Sequence, residues 1–373
     1  MKKIVIISPK IRKDIQHYLK HFENFEIYHF YNDSSFGDME DEDYNDKTIK
    51  YSGFFDLLHK LKTISPDIVQ GSEPYWFPRA FGACLASLIY TSVYKKKLFF
   101  PVFELNDPRN NFGRIIGLML ILFMRIYSSK ASFIIVISDK VKMLLIKHGV
   151  NDQKIIKLLW GNIIGINLDD YSPQKNSTEK DFGSPNVILF VGNLIPIKGI
   201  EILLNAFLEV KSQIPNAKLV MVGKGILENK IKQFASYHKL DEDIILIGQV
   251  KNTLLPAYYR SAKVSVLPSI KLKRSEEQIG MVNVLSLACG TPVVTTNCGG
   301  IPEFIKKDEN AIIVQQNSSN ELAKAIIRIL EDNNLRTKMA LNGRKFCEEN
   351  YNVKINVRKV ENYLIESFGY QSN

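Results

Sequence analysis

Short apolar runs alternate with longer segments of helical periodicity along the first half of the chain. Apolar runs of this kind predict buried strands, and apolar residues at every third or fourth position predict amphipathic helices. The alternation is typical of a doubly wound α/β domain with a mainly parallel sheet. The predicted strands are KIVIIS (3–8), FEIYHF (25–30), PDIVQG (66–71), LFFPVFE (98–104) and FIIVIS (133–138), and the predicted helices are 53–64, 78–94, 112–130 and 139–148.

A polar linker, SPQKNSTEKDFGSPN (172–186), separates this domain from a second alternation of the same kind. Two domains are also expected from the length of 373 residues, because single cores stop growing at about 250–300 residues. The predicted domain boundaries are 1–175 and 186–349. The predicted strands of the second domain are 186–193, 218–223, 244–248, 263–269 and 293–296, and its predicted helices are 199–213, 226–239, 253–261, 321–331 and 333–349.

Residues 277–303, EQIGMVNVLSLACGTPVVTTNCGGIPE, are the most informative stretch of the chain. The apolar run 282–288 predicts a short buried helix, which the cap at Gly290 ends. A β-branched strand and a turn at Gly299 and Gly300 follow, before another helix. In doubly wound sheets such loops gather at the carboxyl ends of the strands, where helix N-termini bind phosphates.

The same stretch resembles the donor-binding signature of glycosyltransferase family 4, roughly E-x-F-G-x(4)-E-A-x-A-C-G-x-P-V-V and then G-G-x-x-E. Glu277 falls on the first glutamate, Gly280 on the glycine and 288–294 on the run that follows. The motif is degenerate here, because Leu285 stands where the family's second glutamate accepts the ribose hydroxyls. Upstream, VILFVGNLIPIKGIEILLNAF (187–207) resembles the family's strand, loop and helix with G-R-x(4)-K-G.

This resemblance implies the GT-B fold, in which two doubly wound, Rossmann-like α/β domains face each other across a cleft. In the family the first domain binds the acceptor and the second binds the nucleotide sugar. The apolar tail at 350–373 is then expected to form a last helix that packs back on the first domain.

The resemblance also assigns roles to residues of the donor site. The departing nucleoside diphosphate carries about two negative charges, which Lys/Arg side chains and helix N-termini stabilise in a metal-free site. Lys198, which would contact the diphosphate, and Glu277, which would hold the donor sugar, are the expected catalytic residues. The other expected donor-binding residues are Gly192, Asn193 at the position of the family's arginine, Gly280, Met281 and Val282.

Polar residues after two strands of the first domain predict an acceptor side. Glu73 follows the third predicted strand, and Glu104 and Asn106 follow the fourth, where they resemble the E-x-N of some branches of the family. Ordinary loop polarity and capping are the alternative for these three residues. The first strand lacks the glycine-rich loop that many members carry, since SPKIRKDI contains no glycine.

Composition limits the class of protein further. An apolar content of 45% with 24% charged residues is typical of a soluble globular protein. The four cysteines show neither paired nor metal-ligand spacing, which favours reduced thiols in the cytosol. No signal peptide is expected, and no apolar run reaches the roughly 18 residues that span a membrane.

The net charge of +10 is unevenly placed, with 12 Lys/Arg against 4 Asp/Glu at 95–157. This region surrounds the apolar run IIGLMLILFM (115–124), a combination that indicates an anionic membrane surface or a lipid-phosphate acceptor. A core helix with solvated flanks is the alternative, which the pattern favours for the run itself. The acidic insert 32–46 predicts a surface loop, and the absence of a binding motif argues against nucleic acid as a partner.

The family resemblance therefore implies retaining transfer of a hexosyl group from a nucleotide sugar to a glycan or lipid-linked acceptor, as in polysaccharide biosynthesis. The nucleotide sugar is the co-substrate, and neither a metal nor another cofactor is expected. The expected location is the cytoplasm, peripheral on the inner face of the membrane. The rival hypothesis is a non-catalytic relative that binds an active transferase, which Leu285, Asn193 and the missing glycine loop favour.

Overall fold

The computed structural model describes residues 1–11, 13–33, 45–174, 180–273 and 275–370, without the side chains of 13–15 and 162. It divides into two compact units, the first formed by Met1–Gly165 with Val353–Asn373 and the second by Ile166–Asn352. The first segment therefore ends at Gly165, earlier than the expected boundary at 175. Most of the acidic insert, at 34–44, lies outside the described residues.

The first unit is built on a parallel sheet of seven described strands, each a short β-branched or aromatic run. Five strands agree with the sequence pattern, and two edge strands of three residues each, β3 and β7, escape it because they are too short to show a period. The strands are β1 Lys2–Ile7, β2 Phe25–Tyr31, β3 Thr48–Lys50, β4 Ile68–Gln70, β5 Lys97–Val102, β6 Phe133–Val136 and β7 Ile155–Lys157. Their order in the sheet is β3-β2-β1-β4-β5-β6-β7.

The helices between these strands begin and end at local signals. Asp107 accepts a hydrogen bond from the backbone N–H of Arg109 and starts a short helix, which Gly113, at φ 81°, separates from the next. The helix predicted at 112–130 therefore begins two residues later, at Arg114, and the short helix Pro108–Phe112 before it was not predicted. The helices of this part of the chain are α1 Lys13–Leu19, α2 Phe54–Ile64, α3 Phe81–Val93, α4 Pro108–Phe112, α5 Arg114–Lys130 and α6 Asp139–Lys147.

Strand β5 shows how the first sheet is covered on both faces. Phe100 and Val102 pack under α3, α5 and α6, whereas Phe99 packs on the opposite face, with its ring 5.5 Å from that of Trp160. Alternate residues of one strand thus enter two separate cores. The sequence favours a core position for 115–124, but only one side of α5 is buried, so that prediction is half wrong.

The second unit contains a parallel sheet of six described strands in the order β10-β9-β8-β11-β12-β13. The order reverses between β8 and β11, which is the point where ligands bind in open α/β sheets. The strands are β8 Val187–Val191, β9 Lys218–Val222, β10 Ile244–Gly248, β11 Val264–Leu267, β12 Val293–Thr296 and β13 Ala311–Val314. The helices are α7 Ile200–Gln213, α8 Glu228–Tyr237, α9 Leu255–Arg260, α10 Met281–Ala288, α11 Ile301–Phe304, α12 Ser319–Glu331 and α13 Asn333–Asn350.

The last helix, α14 Val353–Phe368, belongs to the first unit. Val357, Val360 and Leu364 join the core cluster that also contains Ile4 and Ile6 of β1. The buried carboxylate of Glu361 accepts hydrogen bonds from the backbone N–H groups of Glu23 and Asn24, at 2.9 and 2.7 Å. Apolar packing and a buried acceptor therefore both hold α14 against the first sheet.

Helix length and polarity also bear on membrane insertion. Within the described residues, none of the helices combines the length and the hydropathy needed to cross a bilayer.

Candidate functional site

The loop after β8, Gly192–Gly199, is tied to its neighbours by backbone hydrogen bonds. Leu194 N–H donates to the carbonyl oxygen of Lys224 at 2.9 Å, and Ile197 accepts from Ile270 N–H at 2.9 Å. Gly199 lies at φ 68°, and a Cβ there would be 1.9 Å from the carbonyl oxygen of Pro268. Glycine therefore allows this loop to approach the loop after β11, and so sets the position of Lys198.

The loop after β11 places Glu277 against the turn that follows β12. Gly300 N–H donates to the carbonyl oxygen of Glu277 at 3.0 Å. Gly299 lies at φ 58°, where a Cβ would be 1.7 Å from that same oxygen. Any side chain at Gly299 would push the two loops apart, so the G-G of the sequence signature is explained by this contact.

Lys198 and Glu277 form an ion pair at the meeting point of these loops. The Nζ atom of Lys198 lies 2.5 Å from Oε2 of Glu277, and both side chains are mostly buried. The hydroxyl of the buried Ser269 donates to the same Oε2 at 3.0 Å. Among the described residues, Oε1 of Glu277 accepts no hydrogen bond, whereas Oε2 accepts two.

The N-terminus of α10 follows directly after this pair. Gly280, at φ 71° and ψ 50°, forms the N-cap, and the helix begins at Met281 and Val282. The first N–H groups of a helix have no acceptor within it and carry the positive end of the helix dipole. Glu277 thus lies three residues before the N-cap of α10, and its ion pair brings Lys198, which is 79 residues away in the sequence, to the same place.

Leu285 lies in an apolar environment. Together with Val282 it packs, half-buried, against an apolar cluster that includes Val222, Leu255 and Tyr258. Asn283 is fully buried, and its Nδ2 donates to Thr295 Oγ1 at 3.3 Å. Helix α10 therefore contains no carboxylate at the position where the family signature provides one for the ribose.

In the first unit, the predicted acceptor residues are linked to one another. The two carboxylate oxygens of Glu73 accept from the backbone N–H groups of Phe103 and Glu104, at 3.0 and 2.8 Å. Glu104 Oε1 in turn accepts from Asn106 N–H at 2.9 Å. Burial raises the pKa of Glu73 to about 8, although the two N–H donors act to lower it. Glu73 therefore holds the loop after β5 in place.

A second polar network in this unit was not predicted from the sequence. The hydroxyl of Tyr75 lies 2.7 Å from His148 Nδ1, and Asp107 Oδ2 lies 3.1 Å from His148 Nε2. Arg109 Nε donates to Asp107 Oδ1 at 2.8 Å and is the main cause that lowers the pKa of Asp107. Of these residues, only Asp107 had a signal in the sequence, because an aspartate before a proline is typical of the start of a helix. The network joins the loops after β4 and β5 to the end of α6.

The possible metal ligands and the cysteines are the remaining reactive side chains of the described residues. In that part of the chain, no three His, Cys, Asp or Glu side chains are grouped in a way that could hold a metal ion. The four cysteines, Cys84, Cys289, Cys298 and Cys347, are buried free thiols.

The residues of this site lie within a region that is similar to known glycosyltransferases. Residues 173–346, which include Lys198, Glu277 and α10, match the family model of glycosyl transferases group 1. An uncharacterised glycosyltransferase of Methanocaldococcus jannaschii is 32% identical over 57% of this chain and 50% of its own length. The capsular polysaccharide biosynthesis glycosyltransferase CapM of Staphylococcus aureus is 28% identical over 67% of each chain. The chain spans about half the length of the first curated relatives that it matches.

Solved structures extend the likeness to both units. The Anabaena protein HepE, solved in complex with UDP, has a TM-score of 0.77 at 17% identity, covering 98% of this chain and 100% of that chain. At this identity the likeness shows the fold, which is that of the GT-B glycosyltransferases. The structural likeness therefore extends over both units, whereas the family match is confined to residues 173–346.

Proposed function

We propose that this protein transfers a hexosyl group, with retention of configuration, from a nucleotide sugar to a glycan or lipid-linked acceptor. The observation that carries the proposal is the pair of Lys198 and Glu277, 2.5 Å apart beside the N-terminus of α10. This arrangement supplies a positive charge for a diphosphate and a carboxylate for sugar hydroxyls. The group 1 family match and the capsular polysaccharide relative support the reaction class.

Lys198 has the chemistry to stabilise the leaving group. Its ammonium group has three N–H donors, and the contact with Glu277 uses one of them, so two remain for diphosphate oxygens. The N–H groups of Met281 and Val282 add the positive end of a helix dipole. Stabilisation of developing negative charge by such fixed donors is commonly worth about 10²–10³ in rate for each donor.

Glu277 has the geometry to orient the donor sugar. Ser269 and Lys198 both hold Oε2, which fixes the plane of the carboxylate and leaves Oε1 as an acceptor. Gly192 and Asn193 begin the loop that carries Lys198 and complete the proposed donor site. In the first unit, Glu73, Glu104 and Asn106 remain the proposed acceptor-side residues, with Glu73 acting through the loop that it holds.

We further infer that the donor binds without a metal ion, because Lys198 and the N-terminus of α10 supply the positive charge. The nucleotide sugar is then the co-substrate, and no other cofactor enters the reaction. The proposed location is the inner face of the cytoplasmic membrane.

A non-catalytic partner of an active transferase is the second candidate function. The packing of Leu285 against an apolar cluster favours it, since the ribose then lacks the carboxylate that the family signature provides. The two functions differ in one property, because a pure binding module has no reason to bind nucleoside diphosphates.

Calorimetric titration of the full chain with UDP, GDP, ADP, CDP and dTDP tests the proposal. We expect one of these nucleotides to bind with a micromolar Kd, and the Lys198→Ala variant to bind it at least about tenfold more weakly, as removal of a charged contact does. A folded protein that binds none of the five would contradict the proposed transferase and favour the binding module.

A further inference from the structure

Helix α5 carries an apolar stripe on its outer side. Its inner side chains, such as Leu120 and Met124, are in the core, and α4 packs beside Gly117. The stripe consists of residues between 48% and 76% exposed, at the i, i+3, i+4, i+7 and i+11 positions of one helix face. These residues, called the α5 apolar face below, are Ile115, Leu118, Met119, Leu122 and Ile126.

The neighbouring helices extend the exposed apolar surface. The hydroxyls of Ser87 on α3 and Tyr127 on α5 are 2.7 Å apart, so these two helices lie side by side. Val93 of α3 and Met143 of α6 are also largely exposed. An exposed stripe of large apolar side chains, such as the α5 apolar face, usually marks a binding surface.

The charge around the α5 apolar face is mainly positive. Residues 107–152 contain seven Lys/Arg and three Asp/Glu, and each acid is paired: Asp107 with Arg109, Asp139 with Lys157 and Asp152 with Lys142. Arg114 and Lys130 stand exposed at the two ends of α5. The surface therefore fits a partner with an apolar layer beneath an anionic surface.

We propose that the α5 apolar face binds an anionic lipid membrane, with α5 lying in the plane of the interface. A helix of 17 residues is about 25 Å long, and its apolar side chains enter the acyl region while Arg114 and Lys130 remain among the headgroup phosphates. A second copy of the chain fits the surface less well. In a two-fold dimer the same cationic rim would face itself, and like charges across an interface disfavour association.

This inference stands on the first unit and does not depend on the donor site. It also supplies a physical reason for a lipid-linked acceptor, because the surface would bring the first unit to the membrane in which such an acceptor resides. Loss of membrane binding and loss of nucleotide binding can therefore be measured separately.

Sedimentation of the full chain with vesicles tests the proposal, using phosphatidylcholine alone or mixed with phosphatidylglycerol. We expect binding to the anionic vesicles that weakens on raising the salt from 0.05 to 1 M, since the screening length then falls to about 3 Å. The double variant Met119→Ser with Leu122→Ser should lose about tenfold or more in partitioning, because two apolar side chains no longer leave water. Lys130→Gln should lose about fivefold, the usual effect of one cation near an anionic surface.

A matched control removes apolar surface elsewhere. Tyr237 and Leu341, 83% and 68% exposed in the second unit, are replaced by serine and should leave partitioning unchanged. Unchanged circular dichroism and nucleotide affinity of the Met119/Leu122 variant would show that it is folded. Failure of the wild-type chain to bind anionic vesicles at low salt, or equal binding to both vesicle types, would overturn the proposal. So would a dimer, measured by light scattering, that the Met119/Leu122 variant dissociates while lipid binding is absent.

Discussion

Lys198 and Glu277 are 79 residues apart in the sequence, yet Nζ of the lysine lies 2.5 Å from Oε2 of the glutamate. Both side chains are mostly buried, so removing one partner leaves the other charge without compensation. The proposed catalytic pair is therefore also part of the structural contact between the loops after β8 and β11.

The first prediction follows from this coupling. Lys198→Ala and Glu277→Ala should each lower the free energy of unfolding by about 1–3 kcal/mol, whereas the double variant should lose less than the sum. Each single variant should also reduce transfer by about 10²-fold or more. Urea unfolding of the four proteins measures the coupling, and additive losses of stability would contradict it.

Ser269 gives a second prediction, because it contacts Glu277 and not the proposed phosphate position. Ser269→Ala should lower kcat/KM for the nucleotide sugar about tenfold while the Kd of the free nucleoside diphosphate changes less than about twofold. Ser286→Ala is a matched control, since Ser286 is equally buried and donates to the carbonyl oxygen of Thr291 at 2.9 Å. Equal losses of nucleotide binding in both variants would assign Ser269 a general structural role.

The third prediction concerns Leu285, where a glutamate should raise the affinity for nucleotide but lower the stability of the fold. Leu285→Glu should tighten nucleoside diphosphate binding about tenfold by accepting ribose hydroxyls, while its place beside the apolar cluster lowers the free energy of unfolding by about 1–3 kcal/mol. Leu285→Gln controls for the loss of apolar packing without the charge. A loss of stability with no gain in affinity would favour the non-catalytic function.

The fourth prediction concerns metal independence. Titration with the nucleotide that binds should give the same Kd in the presence of an excess of EDTA and of added magnesium, because Lys198 and α10 supply the positive charge. A loss of binding of about tenfold on chelation would show that a metal ion takes part.

Glu73 gives a fifth prediction, on pH. Its pKa rises from 4.5 to about 8 on folding, so the stability that it contributes is fully present below about pH 4.5 and is lost as the pH rises through 8. Glu73→Gln should remove this part of the pH dependence, and its free energy of unfolding relative to wild type should increase between pH 5 and 8.5. Denaturation curves at several pH values measure it, and parallel profiles for the two proteins would refute it.

The sequence pattern predicted the strands and helices where apolar runs were long enough to show a period. It missed β3 and β7, of three residues each, and β13, which follows the signature without a separating helix of clear periodicity. It also missed α4, which has only five residues, whereas α5 was predicted to within two residues of its start. The sequence thus predicts those strands and helices that are long enough to show a periodic apolar pattern.

For the candidate site, the signature located Glu277 and Gly280 because their spacing reflects local backbone geometry. The contact with Lys198 could only be expected from the family resemblance, since nothing local links residues so far apart. Ser269 and the network of Tyr75, Asp107 and His148 were missed because each is an ordinary polar residue until the fold brings its partners near. Long-range hydrogen bonds leave no local pattern in a sequence.

Helix α14 has a consequence for how the chain is made. The ribosome completes Met1–Gly165 first, but the helix that covers Ile4 and Ile6 follows only after the 187 residues of Ile166–Asn352. At usual elongation rates this interval is roughly 10–40 s. During it, the part of the first core that α14 covers remains open to solvent, whereas the second unit is continuous in sequence and can close its own core. The core of the first unit is therefore completed after the second unit has been synthesised.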